Sequence, residues 1–178
     1  MQKDIHQYFV LHKPINMVSQ FVSTHDVPLL GSLPFTFPAG THAIGRLDKN
    51  SEGILLLTTD KRVTKLLFHG HQPHSRKYLV QVNKIIQDDT IKQLANGVPI
   101  SAPMGKTYIT TPCDVQVVVK PAYIEDRLGV TVQKNIVHSW ITITLTEGKF
   151  HQVRKMIAAV KHKCLRLIRI SIEDIELA

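Results

Sequence analysis

His42-Ala43-Ile44-Gly45-Arg46-Leu47-Asp48-Lys49-Asn50-Ser51-Glu52-Gly53-Ile54-Leu55-Leu56-Leu57-Thr58-Thr59 passes from a polar, glycine-bounded segment directly into four large aliphatic residues. A continuous apolar run of this length predicts a short strand buried on both faces. The segment before it is a loop anchored on that strand, and loops fixed to a rigid element are where chemistry is commonly placed. Asp-Lys-Asn-Ser is also ordinary turn composition, because Asp can bond its own backbone. Taken alone, the turn is the simpler reading of Asp48.

After the strand, Asp60 is placed to cap a short amphipathic helix carrying Val63, Leu66 and Leu67 and ending near Gly70. Before it, Tyr8 to Leu11 predicts a short buried strand stopped at Lys13-Pro14, since proline removes a ladder donor and restricts its predecessor. Pro28, Gly31, Pro34, Pro38 and Gly40 mark residues 23 to 42 as a long loop. Tyr78 to Val82 alternates as a strand. A helix follows, capped by Asp88 or Asp89, carrying Ile91, Leu94 and Ala95 and closed by Gly97.

Val115 to Val119, Trp140 to Thr146 and Leu165 to Ile172 are β-branched runs. The second alternates Ile141, Ile143 and Leu145 with Thr142, Thr144 and Thr146, as a half-buried antiparallel strand would. Between the last two, a helix over Phe150 to Val160 puts Val153, Met156, Ile157 and Val160 on one face, with Arg154 at its margin. Residues 120 to 138 mix charges irregularly and read as a surface excursion. The class that results is α+β.

A chain of 178 residues with 43% hydrophobic content can bury a real core, and one globular domain is expected over 1–178. Its 22 Lys and Arg against 14 Asp and Glu leave a formal charge of +8. That balance suits a nucleic-acid partner, and equally a merely solvated basic surface. Cys113 and Cys164 have no CxxC spacing, which argues against a disulfide framework or a zinc site and fits a reducing cytoplasm. The first 20 residues lack an apolar signal core and no stretch approaches 18 apolar residues, so neither secretion nor a membrane span is expected.

A second segment changes the weight of Asp48. Glu147-Gly148-Lys149-Phe150-His151-Gln152-Val153-Arg154-Lys155-Met156 takes the chain from a strand through glycine into a basic helix start. Arg154, at the margin of the buried face, is positioned to reach a partly buried carboxylate, and a guanidinium there favours the ionised form. For Lys155 and Lys161 a solvated helix face is the plainer reading. His69, His71 and His74 invite a metal site, but no carboxylate joins them and Pro73 interrupts any helical facing, so loop histidines near a nucleic acid are favoured over ligands.

Together these segments resemble the pseudouridine synthases of the small-subunit and large-subunit ribosomal RNA type. Gly45-Arg46-Leu47-Asp48 is similar to their active-site motif, continued by Ser51-Glu52-Gly53 and the apolar run. Arg76-Lys77-Tyr78-Leu79-Val80 is similar to their Lys-x-Tyr segment. The segment from Glu147 to Met156, followed by Leu165-Arg166-Leu167-Ile168-Arg169, matches their third motif. The resemblance runs from about Tyr8 to Ile172 in motif order.

The resemblance implies the family's catalytic fold, a mixed and mostly antiparallel sheet flanked by helices. It makes Asp48 the essential aspartate, Tyr78 the ring packed on the target base and Arg154 the ion-pair partner of Asp48. It implies neither metal nor cofactor, a ribosomal RNA substrate, and a chain expected to act as a monomer. Many members begin with a separate small RNA-binding domain; Lys13-Pro14 and Ser19-Gln20-Phe21 resemble the branch without it, which modifies large-subunit RNA. Ile170-Ser171-Ile172-Glu173-Asp174 departs from the pattern where a glycine is usual, and an altered or truncated C-terminal edge is expected there.

Phosphate contacts are expected from Arg46, Lys49, Arg62, Arg76, Lys77 and Lys155, with Arg46 foremost because it adjoins Asp48. An ionised Asp48 beside the ribose has two routes, direct attack as a nucleophile or removal of the C2′ proton toward a glycal. Three other readings compete. A non-catalytic RNA-binding module leaves Asp48 without a task, a glycosylase would release free uracil, and a metal-dependent hydrolase would rest on the histidines.

Overall fold

The computed structural model describes residues 5–69, 73–125 and 137–177. In chain order its elements are β1 (Tyr8–Lys13), β2 (His42–Ile44), β3 (Glu52–Thr58), α1 (Lys61–His69), β4 (Arg76–Asn83), α2 (Asp88–Asn96), β5 (Pro99–Ser101), β6 (Thr107–Ile109), β7 (Asp114–Val118), β8 (His138–Leu145), α3 (Gln152–Ala159), β9 (Cys164–Ile172) and β10 (Ile175–Glu176). They fall into two compact units, one running to His74 and resuming at Ile168–Leu177, the other spanning Ser75–Leu167. Strand β9 begins in the second and ends in the first.

The first unit is organised on β3. Ile54, Leu55 and Leu57 are fully buried, as the unbroken apolar run predicts. Strand β1 pairs antiparallel along one side, from Tyr8 opposite Thr58 to Lys13 opposite Gly53. On the other side β2 pairs antiparallel with Leu56 to Thr58, and β9 runs parallel where Glu52 meets Ile168 and Gly53 meets Arg169. Gly53 holds φ +103°, and a Cβ there would stand 2.2 Å from the Arg169 carbonyl oxygen. Only glycine permits that approach.

Strand β1 corrects one expectation. It is not a buried strand, since Tyr8 and Val10 are both 60% exposed. Its inward side instead contributes Phe9, whose ring meets Phe35 and Phe37 edge to face at 5.8 and 5.6 Å, while Phe21 also meets Phe37. These aromatics give the long proline-rich loop a small core of its own. The loop also holds an unforeseen strand, β2, at its end. Helix α1 starts as expected, with the Arg62 N–H donating to Asp60 Oδ1 at 3.0 Å.

In the second unit β4 and β8 pair antiparallel over eight residues, and β7 extends them on the far side of β8. A separate ribbon pairs β5 with β6. Helices α2 and α3 lie against β7 and β5 and close one core, in which Leu94, Met156, Ile157, Ile141 and Ile143 are fully buried. The β3–β9 contact makes the sheet mixed; the other pairings named here are antiparallel.

Three local expectations shift. Thr142 is only 6% exposed, so β8 is covered on both faces rather than alternating in and out. Helix α2 is entered from Gln87 with no side-chain cap, and Asp88 and Asp89 sit in its first turn, where their charge still favours the helix N-terminus. Helix α3 begins two residues later than predicted because His151 takes a left-handed conformation, φ +54°, that a right-handed helix cannot include. Val153, Met156, Ile157 and Val160 form its buried face as expected. Much of the excursion at 120 to 138, the Gly70 helix end and His71 lie outside the described residues.

Candidate active site

Asp48 is half-buried in the loop between β2 and β3, and the structure fixes the residues on either side of it. The Leu47 N–H donates to Ser19 Oγ at 3.0 Å, and the Ser19 hydroxyl donates back to the Leu47 carbonyl at 2.7 Å. Arg169 reaches across from β9, donating from Nε to the Ile54 carbonyl at 2.7 Å and from its terminal nitrogen to the Arg46 carbonyl at 3.5 Å. The Ser51 N–H closes a turn on the Asp48 carbonyl at 3.0 Å. The turn predicted from composition is therefore present, and it is clamped from three distant parts of the chain.

The third clamp is Lys13. Its side chain is fully buried, and its Nζ donates to the carbonyls of Pro14 at 2.8 Å, Met17 at 2.7 Å and Lys49 at 3.5 Å. Burial pushes its pKa down to about 8; the Glu52 and Asp48 carboxylates act in the opposite sense, and Arg169 adds to the lowering. A cation buried beside two carboxylates and three carbonyls holds the loop in one conformation. Lys13, Ser19 and Arg169 are not singled out as site residues by the sequence, because each bonds backbone carbonyl or N–H groups, which no side-chain pattern marks.

Arg46 and Lys49 flank Asp48 with exposed side chains. Arg62 stands apart from them on α1, where it pairs with Asp60 at 2.7 Å through both carboxylate oxygens. The hydrogen bonds from Arg62 hold the Asp60 carboxyl well below the usual carboxylate range.

The other predicted residues belong to the second unit. Tyr78 is half-buried on β4 opposite Ile143 and packs against the core. Arg76 and Lys77 precede it, opposite Leu145 and Thr144. The Arg76 guanidinium lies so close over Gly148 that a Cβ there would be 3.2 Å from it. Arg154 is half-buried on α3 with a guanidinium nitrogen 3.7 Å from the Cys164 sulfur. Lys155 donates to the Ser101 carbonyl at 2.7 Å.

Glu147 is the hub that sequence reading missed in this unit. It accepts hydrogen bonds from the Tyr108 hydroxyl, from the Thr111 N–H at 3.0 Å and from Gln152 Nε2 at 2.6 Å. Burial would raise its carboxyl, but those hydrogen bonds prevail and lower it, and the bond to Glu147 raises the Tyr108 hydroxyl. His74 stands 3.4 Å from Glu173. Among the described residues no three His, Cys, Asp or Glu side chains gather as a metal would need, and no helix is long and apolar enough to cross a membrane.

A family model described as RNA pseudouridylate synthase matches residues 7–159. A protein of Xanthomonas axonopodis pv. citri named ribosomal large subunit pseudouridine synthase E is 33% identical over 166 residues, 93% of this chain and 85% of that protein. A Vibrio parahaemolyticus protein of the same name is 32% identical over 168 residues, 94% of this chain and 68% of that protein. A solved structure described as a pseudouridylate synthase aligns with a TM-score of 0.77 at 25% identity, covering 99% of this chain and 67% of the other.

Proposed function

We propose, since the chain belongs to the RNA pseudouridylate synthase family, that it isomerises one specific uridine of large-subunit ribosomal RNA to pseudouridine with Asp48 as its catalytic carboxylate. The enzyme class, an isomerase acting on RNA, follows from the family. The large-subunit substrate is supported by the names of the relatives that cover most of the chain. The observation that carries Asp48 is its seat between two clamped neighbours, Leu47 and Lys49, each tied to a distant residue.

The reaction breaks the bond from ribose C1′ to uracil N1 and forms one from C1′ to C5; the C5 proton is lost and N1 gains one. No oxidant or reductant is consumed. Asp48 either bonds to C1′ while the base turns, or takes the C2′ proton to give a glycal and later returns it. Both routes require a carboxylate held still, and the clamps on its loop supply that.

Arg154 is assigned to aim Asp48, and Tyr78 to pack on the target base. Extruding the uridine from its stack costs a few kcal/mol. Stacking and phosphate contacts from Arg46, Lys49, Arg76, Lys77 and Lys155 offset it. Arg62 is the weakest of the phosphate candidates, because Asp60 already engages it. A monomer working in the cytoplasm, where this RNA would be met, completes the reading.

The test is a map of pseudouridine in large-subunit RNA from cells with and without the protein, followed by restoration with purified wild type or Asp48→Asn. One position should disappear, return with wild type and stay absent with the variant, although the variant folds and binds RNA. Full restoration by Asp48→Asn would refute the assignment. Release of free uracil would favour a glycosylase, loss of activity to a chelator a metal-dependent hydrolase, and RNA binding without any product a non-catalytic module.

A further inference from the structure

Phe150 is 72% exposed, although an aromatic ring of this size gains nothing from contact with water. Its ring is stacked on the His151 imidazole, with centroids 3.9 Å apart and planes inclined by 17°. The Lys155 ammonium lies 5.4 Å from the Phe150 centroid, and the neighbouring Lys149 ammonium sits 4.5 Å over the Tyr108 ring. The Lys155 ammonium therefore borders the stacked pair, and Lys149, next to Phe150 in the chain, carries a second cation.

The segment that carries the pair is held by polar bonds rather than by burial. Glu147 is fixed by Tyr108, Thr111 and Gln152. Gln152 Oε1 accepts the Lys149 N–H at 2.9 Å, and the Gln152 N–H returns to the Lys149 carbonyl at 3.1 Å. His151, between them, is held at φ +54°, a left-handed conformation that few non-glycine residues adopt. The framework thus presents two stacked rings outward in a preset geometry.

We propose that the Phe150–His151 pair is a stacking platform for an unpaired nucleobase of the RNA, a base other than the uridine that is isomerised. Lys149 and Lys155 take the adjoining phosphates. The inference rests on the reading of RNA as substrate given above. A planar π surface with flanking cations matches a single-stranded nucleotide, which offers a π face and an anionic phosphate together, and such recognition tolerates any base. Lys155 uses one of its three N–H donors on Ser101 and keeps the others for phosphate. An acidic peptide would satisfy the lysines and leave the rings without a partner.

The experiment uses the full chain. Phe150→Trp adds an indole at the platform, and the native indole of Trp140 is only 9% exposed. An unstructured oligouridylate of about ten nucleotides, within the usual span of single-strand sites, should quench the added emission. An abasic oligomer of equal charge and an Asp-rich peptide should quench it far less. In turnover on protein-free large-subunit RNA, Phe150→Ala should raise KM about thirtyfold, the middle of the range for losing one stacked base. The effect on kcat should be smaller, Phe150→Leu should behave like Phe150→Ala, and Phe150→Tyr should restore KM. Thermal melting should be nearly unchanged, as the ring is exposed.

Equal quenching by the abasic oligomer or the peptide, or an unchanged KM in Phe150→Ala, would overturn the platform. If wild type makes no pseudouridine the catalytic reading fails by itself, and the quenching comparison still decides for or against the platform.

Discussion

Ser19 and Leu47, twenty-eight positions apart, exchange two hydrogen bonds: the Leu47 N–H donates to Ser19 Oγ at 3.0 Å and the Ser19 hydroxyl donates to the Leu47 carbonyl at 2.7 Å. Both groups are buried, so removing the hydroxyl orphans a donor and an acceptor next to Asp48. Ser19→Ala should destabilise the protein by about 1–3 kcal/mol. The same change should lower kcat at least tenfold while KM for RNA moves less, because the lost contact orients a carboxylate rather than binding substrate. Denaturant melts and steady-state kinetics together check this, and an unaffected kcat would remove the loop clamp from the argument.

Lys13 gives a stability signature in alkali. Its folded pKa is about 8 against an ordinary value of 10.5, so between those values the unfolded chain binds more protons than the folded one. Stability contributed through this group must therefore rise as pH increases from 8 to 10.5. Lys13→Met should be less stable than wild type at pH 7, since the Pro14 and Met17 carbonyls lose their donor. The gap should widen toward pH 10. Urea denaturation across that range is the measurement, and a gap independent of pH would contradict the buried-ammonium account.

The close approach of Gly53 to Arg169 is steric and leaves no room for a side chain. With φ at +103° and a Cβ at 2.2 Å from the Arg169 carbonyl oxygen, Gly53→Ala should cost more than about 2 kcal/mol and shift β3 against β9. Gly40→Ala, at φ +82° with open space around it, should cost less, nearer 1 kcal/mol. Melting temperatures of the two variants should fall in that order.

Arg46 and Arg62 should separate in salt titrations of RNA binding. Arg46 flanks Asp48 and is exposed, so Arg46→Ala should weaken binding and reduce the salt slope by roughly 1. Arg62→Ala should leave the slope near wild type. It should instead remove the partner that holds Asp60 charged, and with it stability that wild type keeps at neutral pH and loses only well into acid. Equal salt slopes for the two variants would return Arg62 to the RNA-binding set.

Arg154→Ala and Lys155→Ala should differ in kind. The first should abolish most turnover with a smaller effect on RNA affinity. The second should weaken binding and flatten its salt dependence with kcat less changed. Equal and mild effects in single-turnover assays would count against an Asp48–Arg154 pair.

What was readable from the chain alone follows one rule: signals carried within a few residues were legible. The unbroken run at Ile54 to Leu57 announced a buried strand, the spacing of Val153, Met156, Ile157 and Val160 announced a buried helix face, and the ordered motifs around Asp48, Tyr78 and Arg154 announced the family. The tertiary structure alone decided the groups that bond backbone far away. Lys13 was visible as the residue before a proline and as part of a branch resemblance, yet it is a buried cation joining Pro14, Met17 and Lys49. Glu147 was one letter of a motif, yet it ties together Tyr108, Thr111 and Gln152. Carbonyl and N–H partners are the same atoms in every residue, so no sequence pattern marks them. The fold brings them within hydrogen-bonding distance, and that is how it turns Asp48 from a turn residue into one held in place.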